Sequence, residues 1–180
     1  MICIYFIGGS HFTKYIKYNH KWIYQLKKRN YLIKNAHISD LEQLSEDCRM
    51  FIDACNSKYK NNTIGVMGIS SGGYFALRLK KIIPTLQFCI GVAPIVNPVK
   101  RSYLVTNTHI INATPNVRKI YNNIDKDTLI IISKKDLQAP FIMYKYYNFP
   151  NLIVYNELNH TCITSGEHMD IYKHIDLHLK

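Results

Sequence analysis

The segment GISSGG, which begins at Gly68, places two serines among three glycines in a chain that holds only eight glycines. Read as G-x-S-x-G, it centres on Ser70 and sets glycines two positions to either side, at Gly68 and Gly72. This spacing suits a sharp strand-to-helix turn that lifts a serine hydroxyl out of a sheet, because the flanking residues nearly touch and must lack bulk. Ser71 fails as the centre, because Ile69 would then occupy a position that requires a small residue. The pattern predicts Ser70 as a nucleophile and the Ser71 N–H, at the helix start, as an oxyanion donor.

Such a serine requires a histidine base and an acid that orients the histidine, and both residue types follow later in the chain. Asp136 stands in SKKDLQAP just after an apolar run, and His160 stands in NELNHTCI after the next apolar run. Asp125 and Asp127 are rival acids, but they precede their run and so belong at its opposite end. The alternatives without chemistry are a plain glycine-rich turn at Ser70, a helix cap or solvated acid at Asp136, and an ordinary loop histidine at His160.

Short apolar runs alternate with helical patterns along the chain, which predicts repeated β-α-β units and a parallel sheet with helices on both faces. The predicted strands cover 2–7, 31–33, 63–67, 86–92, 129–132 and 152–155. The predicted helices cover 20–29, 40–58, 73–83, 116–124, 141–149 and 169–179. In the second helix, SDLE from Ser39 to Glu42 is a capping box, and apolar residues then recur at three- and four-residue steps.

The pattern predicts a single domain over residues 1–180, because no linker, repeat or low-complexity tract interrupts it. Residues 97–115 show no clear periodicity and are long for a connection between a strand and a helix. Loops of this length often contact substrates, so residues 97–115 are a candidate partial lid.

The net charge of +11 raises the question of a nucleic-acid partner. The lysines are scattered, however, and the longest basic runs fall at predicted helix ends, where cations complement the helix dipole. We therefore expect no nucleic-acid binding. No apolar stretch reaches the length of a membrane span, and the apolar run in MICIYFIGG is too short and lacks the basic start of a secretory signal.

The cysteines are odd in number, at five, and contain no C-x-x-C pair. This pattern predicts reduced thiols and a cytoplasmic protein rather than a disulfide framework or a structural zinc site. No metal-ligand spacing and no G-x-G-x-x-G fingerprint occurs, so neither a metal nor another cofactor is predicted.

The serine at the sharp strand-to-helix turn (the elbow) is followed along the chain by the acid and then by the histidine. In this order the sequence resembles the α/β-hydrolase superfamily, whose triads follow the same chain order. The resemblance covers nearly the whole chain, less the family's first two strands and any cap insertion. It implies Ser70 as nucleophile, His160 as general base and Asp136 as the residue that fixes the His160 tautomer. It also implies a three-layer αβα fold with a mainly parallel sheet of about six strands in the order 2-1-3-4-5-6.

A loop after the family's equivalent of the first strand donates a second N–H to the oxyanion hole. Here that loop is IGGSH, and the resemblance implies Gly9 or Ser10 as the donor. The family's histidine before the glycines is replaced by Ile7, which leaves the choice between these donors open.

The implied activity is that of a small, capless serine esterase or thioesterase acting on a small acyl ester or thioester. An acyltransferase that passes the acyl group to a hydroxyl acceptor uses the same residues and is one alternative. A catalytically silent hydrolase-fold binding protein is another. A phosphate-binding turn, as in flavodoxin-like domains, is a further alternative for GISSGG, but it has no use for Asp136 and His160.

Overall fold

The computed structural model describes residues 1–9, 19–36, 40–96, 125–145 and 147–180. The strands in these ranges are β1 (Ile2–Ile7), β2 (Leu32–Asn35), β3 (Thr63–Ile69), β4 (Phe88–Val92), β5 (Thr128–Ser133) and β6 (Asn151–Tyr155). The α-helices are α1 (Asn19–Lys27), α2 (Leu41–Lys58), α3 (Ser71–Ile82), α4 (His160–Thr164) and α5 (Met169–His178). None of these helices is both long enough and apolar enough to cross a lipid bilayer.

The strands form one six-stranded sheet in the order β2-β1-β3-β4-β5-β6. Every neighbouring pair is parallel, so the carboxyl ends of all strands lie at one edge of the sheet. The order and direction confirm the predicted topology. The strand order changes direction between β1 and β3, which is the position where open parallel sheets commonly bind ligands beyond the strand ends.

The central strands are buried on both faces, which explains why they read as continuous apolar runs rather than alternating patterns. All residues of β4 and β5 are buried, and in β1 only Ile2 retains partial exposure. The two edge strands differ, because β2 and β6 contain no fully buried residue. The core thus lies along the middle of the sheet, beneath the strand ends that carry the predicted chemistry.

Helix α2 packs the predicted apolar face into this core, with Leu44, Cys48, Phe51, Ile52 and Cys55 buried. The start of α2 differs from the predicted capping box, which began at Ser39. The N-cap residue is Asp40, whose Oδ1 accepts the N–H groups of Glu42 at 2.8 Å and Gln43 at 3.2 Å. A carboxylate one position before the first turn reaches these orphan donors directly, while Ser39 lies outside the described residues.

The predicted helix over 141–149 is wrong, because only Phe141–Met143 form a turn, of the 3-10 type. The Tyr144 hydroxyl donates a 2.6 Å hydrogen bond to the Pro94 carbonyl, which ties the turn to the loop after β4. Residues 147–149 belong to no helix, and Phe149 is buried. Long-range packing therefore overrides a weak helical pattern here. The predicted helix 116–124 and the candidate lid 97–115 lie outside the described residues.

Candidate active site

Three residues singled out in the sequence come together at the carboxyl edge of the sheet. Ser70 follows β3 directly, Asp136 follows β5, and His160 follows β6. Their side chains form a continuous chain of hydrogen bonds. His160 Nε2 lies 3.1 Å from Ser70 Oγ, and His160 Nδ1 lies 2.7 Å from Asp136 Oδ2.

Ser70 occupies the sharp turn between β3 and α3 in a backbone conformation that non-glycine residues rarely adopt. Its φ of 51° and ψ of −121° carry a strain on the order of 1–3 kcal/mol. Backbone hydrogen bonds hold this conformation: the Ser70 N–H donates to the Val92 carbonyl at 2.9 Å, and the Ser70 carbonyl accepts from Gly73 at 3.0 Å and Ile95 at 3.2 Å. The strand β4 and its following loop thus keep the serine lifted above the sheet edge.

The flanking glycines are required by contact rather than by flexibility. A Cβ on Gly68 would lie 2.1 Å from the Gly72 carbonyl oxygen, and a Cβ on Gly72 would lie 2.3 Å from the Ile7 carbonyl oxygen. Both distances are far below van der Waals contact with backbone atoms that have no room to move. The elbow therefore accepts no side chain at either position, as the spacing around Ser70 predicted.

Asp136 is held so that one oxygen is fixed by the backbone and the other faces the histidine. Its Oδ1 accepts the N–H groups of Gln138 at 2.9 Å and Ala139 at 2.7 Å, and the residue is 2% exposed. The carboxylate therefore accepts bonds at both oxygens, which places the proton of the neutral imidazole on His160 Nδ1. His160 Nε2 is then left with a lone pair directed at the Ser70 hydroxyl. This arrangement can withdraw the serine proton.

His160 is the first residue of α4 rather than a loop residue, which corrects the prediction. Asn159 caps this short helix, because its side-chain oxygen accepts the Cys162 N–H at 2.8 Å. The Thr164 hydroxyl in turn donates to the His160 carbonyl at 2.6 Å. A capped turn restricts the backbone of the histidine more than a loop would, and it thereby limits where the ring can point.

The candidate oxyanion donors lie on two sides of the elbow. Ser71 opens α3, where N–H groups of the first turn have no partner within the helix. Gly9 lies beside Ser70, because a Cβ on Gly9 would be 3.1 Å from Ser70 Cβ. The Ser71 hydroxyl donates to the Gly9 carbonyl and so links the two sides. Ser10, the other predicted donor, lies outside the described residues.

The rival acids lie elsewhere, as their place before β5 indicated. Asp125 pairs with Lys80 at 3.7 Å, and the Asp127 carbonyl accepts the backbone N–H of Cys89. Asp127 also lines a cavity of ≈ 710 Å³ at the amino ends of the strands, on the opposite edge of the sheet from Ser70. Neither residue is therefore near enough to orient His160.

The thiols are free, with Cys162 exposed and the other cysteines buried. Burial raises the pKa of Cys48 and Cys89 to about 12, so both stay protonated and unreactive at neutral pH. Among the residues that the structure describes, no three His, Cys, Asp or Glu side chains cluster as a metal site requires.

Sequence reasoning missed the contacts that orient Asp136 and His160. Gln138 and Ala139 contribute only backbone N–H groups, yet the run Asp-Leu-Gln-Ala-Pro is typical of an aspartate that caps its own turn. Asn159 before His160 is likewise an ordinary helix-cap signal. The Ser71 hydroxyl bond to Gly9 had no local signal, since its partners are far apart in the chain.

The sequence matches no protein-family model and no curated protein. In structure, the chain is similar to the esterase Pf2001 of Pyrococcus furiosus at 15% identity and a TM-score of 0.74, covering 98% of this chain and 79% of that one. It is also similar to an esterase domain of a Rhodothermus marinus protein at 14% identity and a TM-score of 0.66, covering 96% and 86%.

A predicted CIB-like hydrolase of Thermoplasma acidophilum is similar at 19% identity and a TM-score of 0.64, covering 99% of this chain and 86% of that one. Identities this low establish the fold alone. Together with the parallel sheet and its strand order, they show that the chain has the α/β-hydrolase fold, as the resemblance implied.

Proposed function

We propose that the protein is a serine-dependent acyl hydrolase that cleaves small-molecule esters or thioesters through an acyl-enzyme. The observation that carries the proposal is the unbroken hydrogen-bond chain from Ser70 Oγ through the His160 ring to Asp136. A binding protein has no need of a strained serine aligned with a histidine whose proton position is set by a buried carboxylate. The esterase neighbours support the same class of reaction.

In the first half-reaction, Ser70 Oγ attacks the substrate carbonyl carbon while His160 Nε2 takes the hydroxyl proton. The carbonyl π pair moves to oxygen, which gives a tetrahedral oxyanion. Asp136 stabilises the imidazolium through the bond to Nδ1, since its carboxylate is already fixed by two N–H donors. The intermediate then collapses, and His160 Nε2–H passes its proton to the departing alkoxide or thiolate.

In the second half-reaction, water attacks the Ser70 acyl ester and gives one proton to His160 Nε2. Collapse of the second tetrahedral intermediate returns that proton to Ser70 Oγ and releases the carboxylic acid. If a hydroxyl compound replaces water, the same residues perform acyl transfer. The acceptor alone separates a hydrolase from an acyltransferase, because the acylation step is shared.

The oxyanion of each intermediate is bound by the N–H of Ser71 and by a second N–H from the loop after β1, at Gly9 or Ser10. Backbone donors of this kind contribute roughly 3–4 kcal/mol each to transition-state stabilisation. Ser71 suits the role because its N–H lies in the first turn of α3, at the positive end of the helix dipole.

Intact-protein mass after reaction with a fluorophosphonate probe tests the proposal. We expect one adduct on the wild-type protein and none on Ser70→Ala, since the probe phosphonylates only an activated serine. Ser57→Ala is the matched control, because the Ser57 hydroxyl donates to Ala54 on the exposed side of α2. It should give the same single adduct as the wild type.

The absence of an adduct on folded wild-type protein would contradict the proposal and favour a binding role for the same fold. If the adduct forms, turnover of p-nitrophenyl acetate with and without added alcohols decides the second step. Acid as the product identifies a hydrolase. An ester of the added alcohol as the main product, formed in water, identifies an acyltransferase.

A further inference from the structure

Ser71 presents two groups at the start of α3, and only its backbone N–H has a role in the proposed mechanism. Its hydroxyl lies at the floor of the site, in a residue that is 6% exposed. That hydroxyl donates to the Gly9 carbonyl, across the gap between α3 and the loop after β1. A buried hydroxyl with such a partner is held in one orientation, because breaking the bond would leave the Gly9 carbonyl and the hydroxyl unpaired.

In the loop after β1, the residues that the structure describes carry no side chain that could hold the loop in place. Gly8 and Gly9 form its described part, and two consecutive glycines have more conformational freedom than any other pair. The loop nevertheless has to keep a fixed place, since a Cβ on Gly9 would lie 3.1 Å from Ser70 Cβ. Among the described residues, the element that faces the loop and contacts it is the first turn of α3.

The contacts of that turn with the loop are close. A Cβ on Gly72 would lie 2.5 Å from the Gly8 carbonyl oxygen, so the helix backbone packs directly against the loop. Packing alone restricts how near the loop can approach the helix. It does not fix the rotation of the peptide group that contains the Gly9 carbonyl. A hydrogen bond from the Ser71 hydroxyl to the Gly9 carbonyl does fix it.

We propose that the Ser71 hydroxyl is a positioning group that holds the Gly9 carbonyl and thereby sets the orientation of the loop half of the oxyanion hole. The inference rests on the proposed function. Ser71 then joins the two halves of the hole in one residue, since its N–H binds the oxyanion and its hydroxyl holds the loop that supplies the second donor. The donors keep their spacing before substrate binds, which is the condition for electrostatic stabilisation of a transition state.

Three substitutions at Ser71 separate the hydroxyl from the shape of the side chain. Ser71→Ala removes the hydroxyl alone, while Ser71→Thr and Ser71→Val have the same shape as each other and differ by the hydroxyl. We expect Ala and Val to lower kcat for p-nitrophenyl acetate by roughly 10- to 100-fold, less than the loss of a whole donor, with KM changed less than about twofold. Thr should exceed Val in kcat by about tenfold or more, because it restores the bond.

Ser133→Ala is the control for loss of a buried hydroxyl. Ser133 is fully buried at the end of β5, and its Oγ has no hydrogen-bond partner among the residues that the structure describes. Its removal should leave kcat within about twofold of the wild type, since no restraint is lost. Melting temperatures of all variants verify that the fold is retained.

A kcat for Ser71→Ala equal to that of the wild type, or equal losses in folded Thr and Val variants, would overturn the inference while the proposed function stands. An unlabelled wild-type serine would instead remove the proposed function, and the catalytic part of the inference with it. The bond holds the peptide group that joins the Gly9 carbonyl to the Ser10 nitrogen, so hydrogen exchange of the Ser10 amide reports the restraint itself without any activity. Ser71→Ala should speed that exchange, and an unchanged rate would show that the hydroxyl does not hold the loop.

Discussion

Asp136 and Asp47 are both carboxylates that accept hydrogen bonds from a neighbouring ring side chain, yet their surroundings differ. Asp136 faces His160 at 2.7 Å, while Asp47 accepts from the Tyr5 hydroxyl at 2.7 Å and from Lys34 Nζ at 2.6 Å. The imidazole has a second nitrogen that reaches Ser70, so a proton can enter on one side while the carboxylate stabilises the other. The phenol has one oxygen and ends the chain of bonds.

The Tyr5 phenol and the His160 imidazole also differ in how readily they change their charge. Burial, together with the bond to Asp47, raises the pKa of Tyr5 well above its usual value of 10.0, so the phenol stays protonated. Histidine is the side chain whose charge changes near neutral pH. A carboxylate beside a ring therefore becomes part of a proton relay only when the ring can change its charge and leads to a reactive group. The Asp47 network is structural, and its bonds connect β1, β2 and α2.

The largest expected effect is a difference in kcat between variants of the two carboxylates. On the proposed function, Asp136→Asn should lower kcat by roughly 10⁴-fold, because an amide donor favours the His160 tautomer with its proton on Nε2. That tautomer cannot accept the Ser70 proton. Asp47→Asn, measured in the same p-nitrophenyl acetate assay, should stay within about twofold of the wild type. Comparable losses in the two variants would remove the distinction.

The second prediction concerns stability, to which Asp47 contributes through its hydrogen bonds. Asp47→Ala should lower the free energy of unfolding by about 1–3 kcal/mol, because it leaves the buried Tyr5 hydroxyl without its partner. Urea denaturation followed by circular dichroism measures the change. Tyr5→Phe in the Asp47→Ala background should recover part of the loss, since no orphan hydroxyl remains.

A control for Asp47→Ala is Glu157→Gln, which breaks an exposed pair with Lys135. Exposed pairs contribute little, so its urea midpoint should match that of the wild type. A destabilisation by Glu157→Gln as large as that by Asp47→Ala would show that burial is not what gives the Asp47 network its effect.

The third prediction uses the buried thiols, which resemble Tyr5 in keeping their protons. Burial raises the pKa of Cys48 and Cys89 from 9.0 to about 12. Above pH 9 the unfolded chain loses protons that the folded chain keeps, so alkali favours unfolding. The free energy of unfolding should be constant with respect to these groups below pH 9 and should fall by about 1.4 kcal/mol per pH unit for each group up to pH 12.

Urea midpoints measured between pH 8 and pH 12 test this slope. Cys89→Ala should make the decline shallower, because it removes one of the fully buried thiols that stay protonated in the folded chain. The same midpoint at pH 8 and at pH 11 would contradict the assignment of protonated thiols to the folded core.

The smallest expected effect concerns Cys162, which lies two residues after His160. Its thiol is exposed, and its backbone N–H and carbonyl form hydrogen bonds with the side chains of Asn159 and Ser165. A disulfide reagent should titrate one thiol in the native protein and all five after denaturation. Cys162→Ala should leave kcat within about twofold, and a larger loss would show that the thiol contributes to the site.

Much of the fold could be predicted because its determinants are local. Strands buried on both faces need continuous apolar runs, and the runs of β1, β3, β4 and β5 are visible without a structure. The helical segment over 141–149 was predicted wrongly for the opposite reason. The Tyr144 hydroxyl bonds the Pro94 carbonyl at 2.6 Å, fifty positions away, and no local pattern signals that contact.

What the sequence determined by itself at the site is the elbow and the order of the side chains. Close backbone approach excludes any residue but glycine at Gly68 and Gly72, so the spacing of these glycines predicts the turn around Ser70. Parallel strands bring every strand end to one edge, so an acid and a histidine after later strands arrive beside that serine.

Only the tertiary structure decided how these groups are held. The fixed oxygen of Asp136, the capped helix that carries His160 and the Ser71 bond to Gly9 all depend on the exact path of the backbone. The partners in the last contact are 62 positions apart and meet only once β1 and α3 pack together. Residue types and spacing specify which groups can react, whereas orientation depends on contacts between distant segments that form only in the folded chain.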